Sequence, residues 1–292
     1  MFVMSTDAQP DRLLKIVALS LALGRRHLAD YGSYKSRKDF TQHQLMACLI
    51  LRTYLKTTYR GVIEFLAVSG ELREAIGLDK LPNYSTLKKF ADKPGVMDAM
   101  HGMLATLAEA VASECPDDHL DAAMDATGLE TSGASAHFVS RSGKTSKKFI
   151  KVSVLILCSS LVPASVVVSW GPGNDKVQAG ALIDQASDAV TPDLLYADAG
   201  YDAEWVHERC VDWGVMSVIK PARHKADGSL GGLYRSQMTE TNLKKLGYGR
   251  RWLAETFMSG MKRTMGSTLN ATSERGLMTD ALMKVLAYAI RR

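Results

Sequence analysis

Cysteine, proline and aromatic residues are scarce in this chain. Its 292 residues include 4 cysteines and 8 prolines, and 7% of the residues are aromatic. The cysteines form no CxxC pair, so neither a disulfide framework nor a thiolate metal site is indicated. They are Cys48, Cys115, Cys158 and Cys210. We expect reduced, mostly buried thiols in a cytoplasmic protein.

Long apolar runs and several catalytic motifs are lacking too. No uninterrupted apolar stretch could cross a bilayer, and the N-terminus has no secretion-signal pattern, so we expect no membrane partner. The 7 histidines form neither H-x3-H nor HExxH, which argues against a zinc site. There is no G-x-S-x-G, Walker A or GxGxxG sequence, so a serine hydrolase or a nucleotide-binding protein is not indicated.

What the chain does have is a large hydrophobic share and an uneven charge. Its 46% hydrophobic content is enough for one large or two modest domains. The net charge of +5 is concentrated, with 10 Lys and Arg against 3 Asp and Glu in residues 220–263. Residues 141–151 form a second basic stretch, which includes Arg141 and Lys148 and has no acid. Such windows favour a polyanionic substrate, and a solvated charged face is the alternative.

Residues 11–112 show the apolar spacing of helices. Steps of three and four predict helices over 40–56, 59–68 and 97–111. Arginine and lysine side chains on one face of this region are further candidates for DNA contact: they are Arg52, Lys56 and Arg60. We assign residues 1–115 to a helical region, followed by a linker at 115–118; the family resemblance given below implies that this region serves DNA binding or dimerisation.

A turn at residues 82–90 precedes a short basic helix. Ser85 is predicted as its N-cap, and the helix carries Lys88 and Lys89. Two short helices around such a turn would suit a helix-turn-helix-like DNA contact. A capped surface helix in an all-α bundle is the alternative.

The period changes after residue 118. Strands are predicted near 119–129, 149–158, 161–170, 193–197 and 215–219, and helices at 176–189, 203–213 and 277–290. Three strands followed by strands that alternate with helices is the order of the RNase H-like fold, an α/β architecture with helices on both sheet faces. We therefore assign residues 116–292 to a domain with the RNase H-like fold. Within it, residues 221–247 are predicted to form a loop with few buried apolar side chains.

Three carboxylates stand where a sheet of this kind places a ligand. Asp125 is predicted at the end of the first strand and Asp198 at the carboxyl end of the fourth. Glu255 lies on a helix predicted over 248–263, between Arg251 and Lys262 on one face. Mg²⁺ prefers oxygen ligands, and pairs of Mg²⁺ ions held by carboxylates support phosphoryl transfer. An ordinary salt-bridged surface helix is the alternative for the Glu255 segment.

Three neighbouring residues receive other predictions. Asp121 shares a strand face with Asp125 and is a rival for the first metal ligand. Asp202 fits the N-cap of the following helix better than a ligand. Trp252 is predicted to take part in the packing of its helix.

These motifs resemble a known family. Tyr248, Arg251, Glu255 and Lys262 have the spacing Y-x2-R-x3-E-x6-K. It is similar to the YREK signature of bacterial and archaeal insertion-sequence transposases with a DDE catalytic domain. The segments 125–127 and 197–202 resemble the first and second aspartate motifs of that family, and the resemblance covers roughly residues 40–290.

The resemblance implies roles for these residues. Asp125, Asp198 and Glu255 would be both the catalytic and the metal-binding triad, with two Mg²⁺ ions that Mn²⁺ can replace. Basic and phenolic side chains would contact DNA: they are Tyr248, Arg251, Lys262, Arg250, Arg141, Lys148, Lys88 and Lys89. Arg251 and Lys262 would hold phosphates of the transferred strand, and Tyr248 the terminal phosphate. The expected partners are the terminal inverted repeats, the target DNA and a second copy of the chain, in the nucleoid of the cytoplasm.

The chain departs from the family pattern in two places. Ala199 stands where many relatives have lysine, and 57 residues separate Asp198 from Glu255, too few for the large β-insertion of some relatives. No tryptophan is therefore assigned to a flipped base. The alternatives are an RNase H-like DNA nuclease and a non-catalytic DNA-binding protein derived from a transposase. The second would predict a lost carboxylate, whereas all three are present.

Overall fold

The computed structural model describes residues 11–114, 119–131, 149–222 and 229–292. The basic stretch that includes Arg141 and Lys148 lies outside the described residues, apart from its last members. So do Cys115 and the predicted boundary between residues 115 and 116. In the described part, no helix is both long and apolar enough to cross a membrane.

The N-terminal region is helical, as predicted. Its helices are α1 (Asp11–His27), α2 (Gln42–Tyr54), α3 (Tyr59–Val68), α4 (Gly70–Ile76), α5 (Tyr84–Ala91) and α6 (Val96–Ser113). Helix α2 begins with a capping box in which Thr41 and Gln44 satisfy each other's backbone N–H groups. Its apolar run from Leu45 to Leu51 is buried, which makes α2 the centre of this helical region.

One capping prediction was wrong. Asn83, not Ser85, caps α5: its side-chain Oδ1 accepts a hydrogen bond from the Ser85 backbone N–H at 2.9 Å. Asparagine and serine are both favourable N-cap residues, so the sequence alone does not distinguish between them. The helix begins at Tyr84, two residues earlier than an N-cap at Ser85 would place its start.

The C-terminal region is built on a mixed sheet. Its strands are β1 (Asp121–Thr131), β2 (Phe149–Leu157), β3 (Pro163–Trp170), β4 (Leu194–Ala197), β5 (Met216–Ile219) and the short β6 (Thr268–Leu269). The order is β3-β2-β1-β4-β5, and β6 pairs with the far end of β1. Strands β1, β2 and β3 pair antiparallel, whereas β4 and β5 run parallel to β1. This is the RNase H-like arrangement that the sequence predicted.

Helices cover both faces of this sheet. They are α7 (Lys176–Ser187), α8 (Glu204–Trp213), α9 (Glu240–Lys245), α10 (Trp252–Met265) and α11 (Glu274–Arg291). Helices α7 and α8 close one apolar cluster, while α10 and α11 close the other together with the N-terminal helices. Alternate strand residues serve the two clusters: Leu155 faces the first, and Val154 and Ile156 face the second. Because α11 also packs against α2 and α6, the helical region and the sheet share a core.

The segment after β5 has more structure than predicted. Residues 221–247 include α9 and a short 3-10 turn at Arg235–Gln237, and Met238 and Leu243 are buried. The prediction of a loop with little core was therefore wrong for its described part. These two apolar residues are separated by polar ones, so their burial has no periodic signal in the sequence.

Two predictions about polar and aromatic neighbours were also wrong. Asp202 does not cap α8, whose N-cap is Ala203. Instead, its carboxylate accepts two hydrogen bonds from Arg235, at 2.6 and 2.7 Å, and one from the Ala222 backbone N–H. Trp252 does not pack within its helix, because it is 55% exposed. The helix predicted over 248–263 starts with a 3-10 turn at Tyr248–Arg251, and α10 follows.

Candidate active site

Strand register brings the first two carboxylates together. Strand β4 pairs in parallel with β1 from Asp121↔Leu194 to Met124↔Ala197, and β4 ends there. The next residues on the two strands are Asp125 and Asp198, so these two follow the last paired positions side by side. Asp125 was predicted at the end of β1, but it lies in the middle, because β1 continues to Thr131 and is paired with β2 as far as Glu130.

Helix α10 supplies the third carboxylate. It packs on β1 through a buried stripe that includes Ala254, Phe257 and Met261, which turns Glu255 away from the core. Glu255 then faces Asp125 across a shallow cleft. We call this the carboxylate cleft: its polar lining comes from Asp125, Thr127, Glu255, Ser259, Lys262 and Arg263.

The electrostatics of the site centre on Asp125. Burial raises the pKa of Asp125 to about 6, and the charges of Asp198 and Glu255 push it in the same direction. The Ala126 backbone N–H, which donates to Asp125 Oδ1 at 2.8 Å, and the Arg251 guanidinium act in the opposite direction. Asp198 and Glu255 are thus both near enough to act on Asp125, and a cation bound there would offset their repulsion.

Basic and phenolic side chains flank Glu255 as the signature spacing implies. Arg251 Nη2 lies 2.7 Å from Glu255 Oε1, one turn away along the chain. Tyr248 is half-buried beside them, and burial raises its pKa, while the charge of Arg251 lowers it. Lys262 lines the cleft two turns further on. Glu255 and Lys262 therefore line the carboxylate cleft, while Arg251 pairs with Glu255 and Tyr248 lies beside Arg251.

The donor atoms of this site fit a hard divalent cation. Carboxylate oxygens are the ligands that Mg²⁺ and Mn²⁺ prefer, and the charges of Asp198 and Glu255 act on Asp125 in addition to its burial. Among the described residues, however, no three His, Cys, Asp or Glu side chains are gathered tightly enough to hold an ion. Glu255 is turned to Arg251, and Asp198 Oδ1 accepts a hydrogen bond from the Gly200 backbone N–H at 2.8 Å.

Asp121, the rival for the first ligand, lies away from the cleft. It is 6% exposed, and its carboxylate forms an ion pair with Arg250. Four residues of strand separate it from Asp125, about 13 Å. Arg250, a predicted DNA contact, therefore lies beside the first residue of β1 and outside the cleft. Its side chain is 52% exposed, whereas that of Asp121 is 6% exposed. The predicted contacts Lys88 and Lys89 lie on α5, also outside the cleft.

The structure adds residues that sequence patterns did not single out. Thr127 follows Asp125 by two on the same strand face, and Ser259 and Arg263 follow Glu255 at helical steps of four. These spacings could have indicated from the sequence that the three residues share a face with Asp125 or Glu255. Asp175 is different: its charge acts on Tyr201 together with those of Asp125 and Asp198, and its carboxylate lies 2.5 Å from the Lys151 ammonium. Nothing near Asp175 in the sequence marks it.

The architecture described above is an α/β chain with an RNase H-like core. A family model described as the transposase DDE domain matches residues 116–290. The chain therefore belongs to the family of transposases with a DDE domain, as the resemblance predicted. A comparison with curated proteins gave no match.

Family membership fixes the general activity. The chain is a transposase-type enzyme, and DNA is its substrate. The family generally uses divalent metal ions.

Proposed function

We propose that this protein cuts DNA at the ends of an insertion element and joins the freed 3′-hydroxyl to target DNA, with Asp125, Asp198 and Glu255 as its catalytic carboxylates. The observation that carries the proposal is that Asp198 and Glu255 both lie near enough to Asp125 for their charges to act on it, and that Lys262 and Arg263 line the cleft between Asp125 and Glu255. An acidic centre beside cationic side chains suits a phosphodiester held against a metal site.

The ion would be Mg²⁺, with Mn²⁺ as a substitute, held by the same three carboxylates. When bound, two such ions activate the attacking oxygen and stabilise the leaving one. The protein's part is to position these groups. Asp125 is held in place within β1, because it lies opposite Val154 of β2 and directly after the last position paired with β4, whereas Glu255 has to leave Arg251 before it can act as a ligand.

Arg251 has a second task in this proposal. When Glu255 leaves it, the guanidinium is free to take a phosphate oxygen pair in its planar fork, as the family resemblance suggests. Lys262 would add a point charge on the next turns, and Tyr248 would contact the terminal phosphate. The exchange of one partner for another would couple DNA binding to the assembly of the carboxylates.

A strand-transfer assay tests the reaction type. The substrate is a duplex that carries one end of the element with a labelled 3′ strand, mixed with plasmid as target, in Mg²⁺ or Mn²⁺. A transposase yields labelled strands covalently joined to the plasmid. Shortened labelled strands without any joined product would instead show an RNase H-like nuclease, and no cleavage with intact binding would show a non-catalytic DNA-binding protein.

The partners follow from the same proposal. Both ends of an element must be joined in one event, so we expect a homodimer on DNA that holds two terminal inverted repeats. Sizing the protein by light scattering with and without end-bearing duplex tests this expectation. The helical region 1–115 would contribute DNA contacts or the dimer contact.

A further inference from the structure

A cavity of about 560 Å³ lies between the helical region and α11, outside the carboxylate cleft. Its walls come from the end of α2, the start of α3, both ends of α5 and the first half of α11. We call it the inter-helix cavity. The residues used in the argument are Arg52, Lys56, Tyr59, Lys88, Lys89 and Thr279.

Two of the four basic side chains that line the inter-helix cavity form ion pairs, and the other two do not. Arg52 pairs with Asp280 at 3.1 Å and lies over the Tyr59 ring, 4.2 Å from its centroid. Lys88 pairs with Asp92. Lys56 and Lys89 are exposed and form no ion pair with any described residue. Arg52 and Lys88 thus neutralise Asp280 and Asp92. The charges of Lys56 and Lys89 are not neutralised in this way, so the lining of the cavity carries a net positive charge.

Polar atoms in the cavity wall lack protein partners. Thr279 is 4% exposed, and its Oγ1 has no hydrogen-bond partner among the described residues. The same holds for Arg52 Nε, whose side chain is 13% exposed. Buried polar atoms without a partner are uncommon, and a site for a polar ligand is one explanation.

The inter-helix cavity adjoins the carboxylate cleft. Lys56, which lines the cavity, has its Nζ 3.5 Å from the backbone oxygen of Arg263, which lines the cleft. The two sites therefore share a wall. A DNA strand that extended from the cleft past Lys262 and Arg263 would reach Lys56.

We propose that the inter-helix cavity binds a phosphate of the DNA backbone next to the strand held in the carboxylate cleft. The inference rests on the proposed function, since it takes DNA as the strand in the cleft. Arg52 is oriented for this task by the Tyr59 ring and Asp280, so its fork loses little freedom on binding. Lys56 and Lys89 add point charges at the mouth. The cavity thereby ties the helical region to the reacting end of the DNA.

The test measures binding alone. Lys56→Gln/Lys89→Gln is compared with wild type by fluorescence anisotropy on a labelled duplex, in EDTA, across a salt titration. The slope of log K against log salt is negative, and each lost phosphate contact makes it shallower by about 0.9. We therefore expect the slope of this variant to be shallower than that of wild type by about two units. The control is Lys35→Gln/Lys38→Gln, which removes the same charge from exposed lysines of the helical region that do not line the cavity. Its slope should match the wild type.

A second arm separates the DNA backbone from free phosphate. Inorganic phosphate replaces chloride at equal ionic strength, and it should displace the duplex from wild type more than from Lys56→Gln/Lys89→Gln. Equal slopes for that variant and its control would overturn the proposal. Phosphate that raises the melting temperature of protein saturated with duplex would overturn the DNA assignment. Because cleavage is not measured, a failure here is distinct from a failure of the catalytic carboxylates.

Discussion

Arg251 Nη2 lies 2.7 Å from Glu255 Oε1, so the DNA-free protein holds its helical carboxylate in an ion pair. The Arg251 side chain is 23% exposed and that of Glu255 is 55% exposed. An exposed pair of this kind on a helix contributes only about 0.2–0.5 kcal/mol to stability. The interaction is therefore weak enough to be exchanged for a phosphate or an ion.

Arg251→Lys tests this exchange. Lysine keeps the charge but loses the planar fork, so we expect strand transfer to fall about tenfold or more while duplex affinity stays within about threefold. The matched control is Arg209→Lys, which changes an exposed Arg–Asp184 pair outside the cleft in the same way. Equal strand transfer by both variants and wild type, with a small shift in melting temperature for each, would reduce the Arg251–Glu255 pair to helix stabilisation.

Arg250→Gln separates a structural role from a DNA contact. The change leaves Asp121 buried beside the Tyr196 hydroxyl, 3.4 Å away, without its cation. Because Arg250 is half exposed, we expect the free energy of unfolding to fall by about 1–3 kcal/mol, below the cost of a fully buried pair. Urea denaturation measures this, with Arg209→Gln as the exposed control. Unchanged stability, together with a slope of log K against log salt that is shallower by about one unit, would make Arg250 a DNA contact instead.

Asp125 predicts a pH-dependent stability of the metal-free protein. Its folded pKa of about 6 exceeds the usual 3.8, so between these values the folded state binds more protons than the unfolded state. The free energy of unfolding therefore loses this contribution as pH rises from about 4 to about 6. In EDTA at pH 7.5, Asp125→Asn should be more stable than wild type by about 1–2 kcal/mol after allowance for solvent screening, and the difference should shrink toward pH 4. A difference that does not vary with pH would contradict this account.

Gly260 governs how closely α10 approaches α11. A Cβ at this position would lie 2.1 Å from the Tyr288 hydroxyl, and Tyr288 packs edge to face on Phe257 with ring centroids 5.2 Å apart. We expect Gly260→Ala to lower the free energy of unfolding by about 1–3 kcal/mol and to reduce cleavage, since α10 carries Glu255. Gly173→Ala is the control, because a Cβ there meets nothing within 4 Å. Equal stability of the two variants would show that Tyr288 moves aside freely.

Much of the fold follows from local patterns in the sequence. The strands 149–158 and 161–170 were predicted within a few residues of β2 and β3, because both are apolar runs bounded by turn residues. The order of elements then fixed the RNase H-like arrangement. It also placed Asp198 at the carboxyl end of β4, since a short buried strand before a turn is a local feature.

The remaining features depend on contacts between distant residues. Asp202 resembles an N-cap in its own segment, but Arg235, 33 positions later, holds its carboxylate. Asp125 lies inside β1 rather than at its end because β2 continues the pairing to Glu130. The pairs of Asp121 with Arg250 and of Arg52 with Asp280 each join residues more than 100 positions apart. No spacing rule within one segment predicts such partners.

The most direct test of the central claim is a parallel measurement of cleavage and duplex binding for Asp125→Ala, Asp198→Ala and Glu255→Ala in Mg²⁺. The carboxylates are proposed to hold metal, whereas affinity for DNA comes from lysine and arginine. We therefore predict that each variant loses detectable cleavage while its duplex affinity, measured by gel shift, stays within a few-fold of wild type. Normal cleavage by Asp125→Ala, combined with an inactive but folded Asp121→Ala, would contradict the site as assigned here.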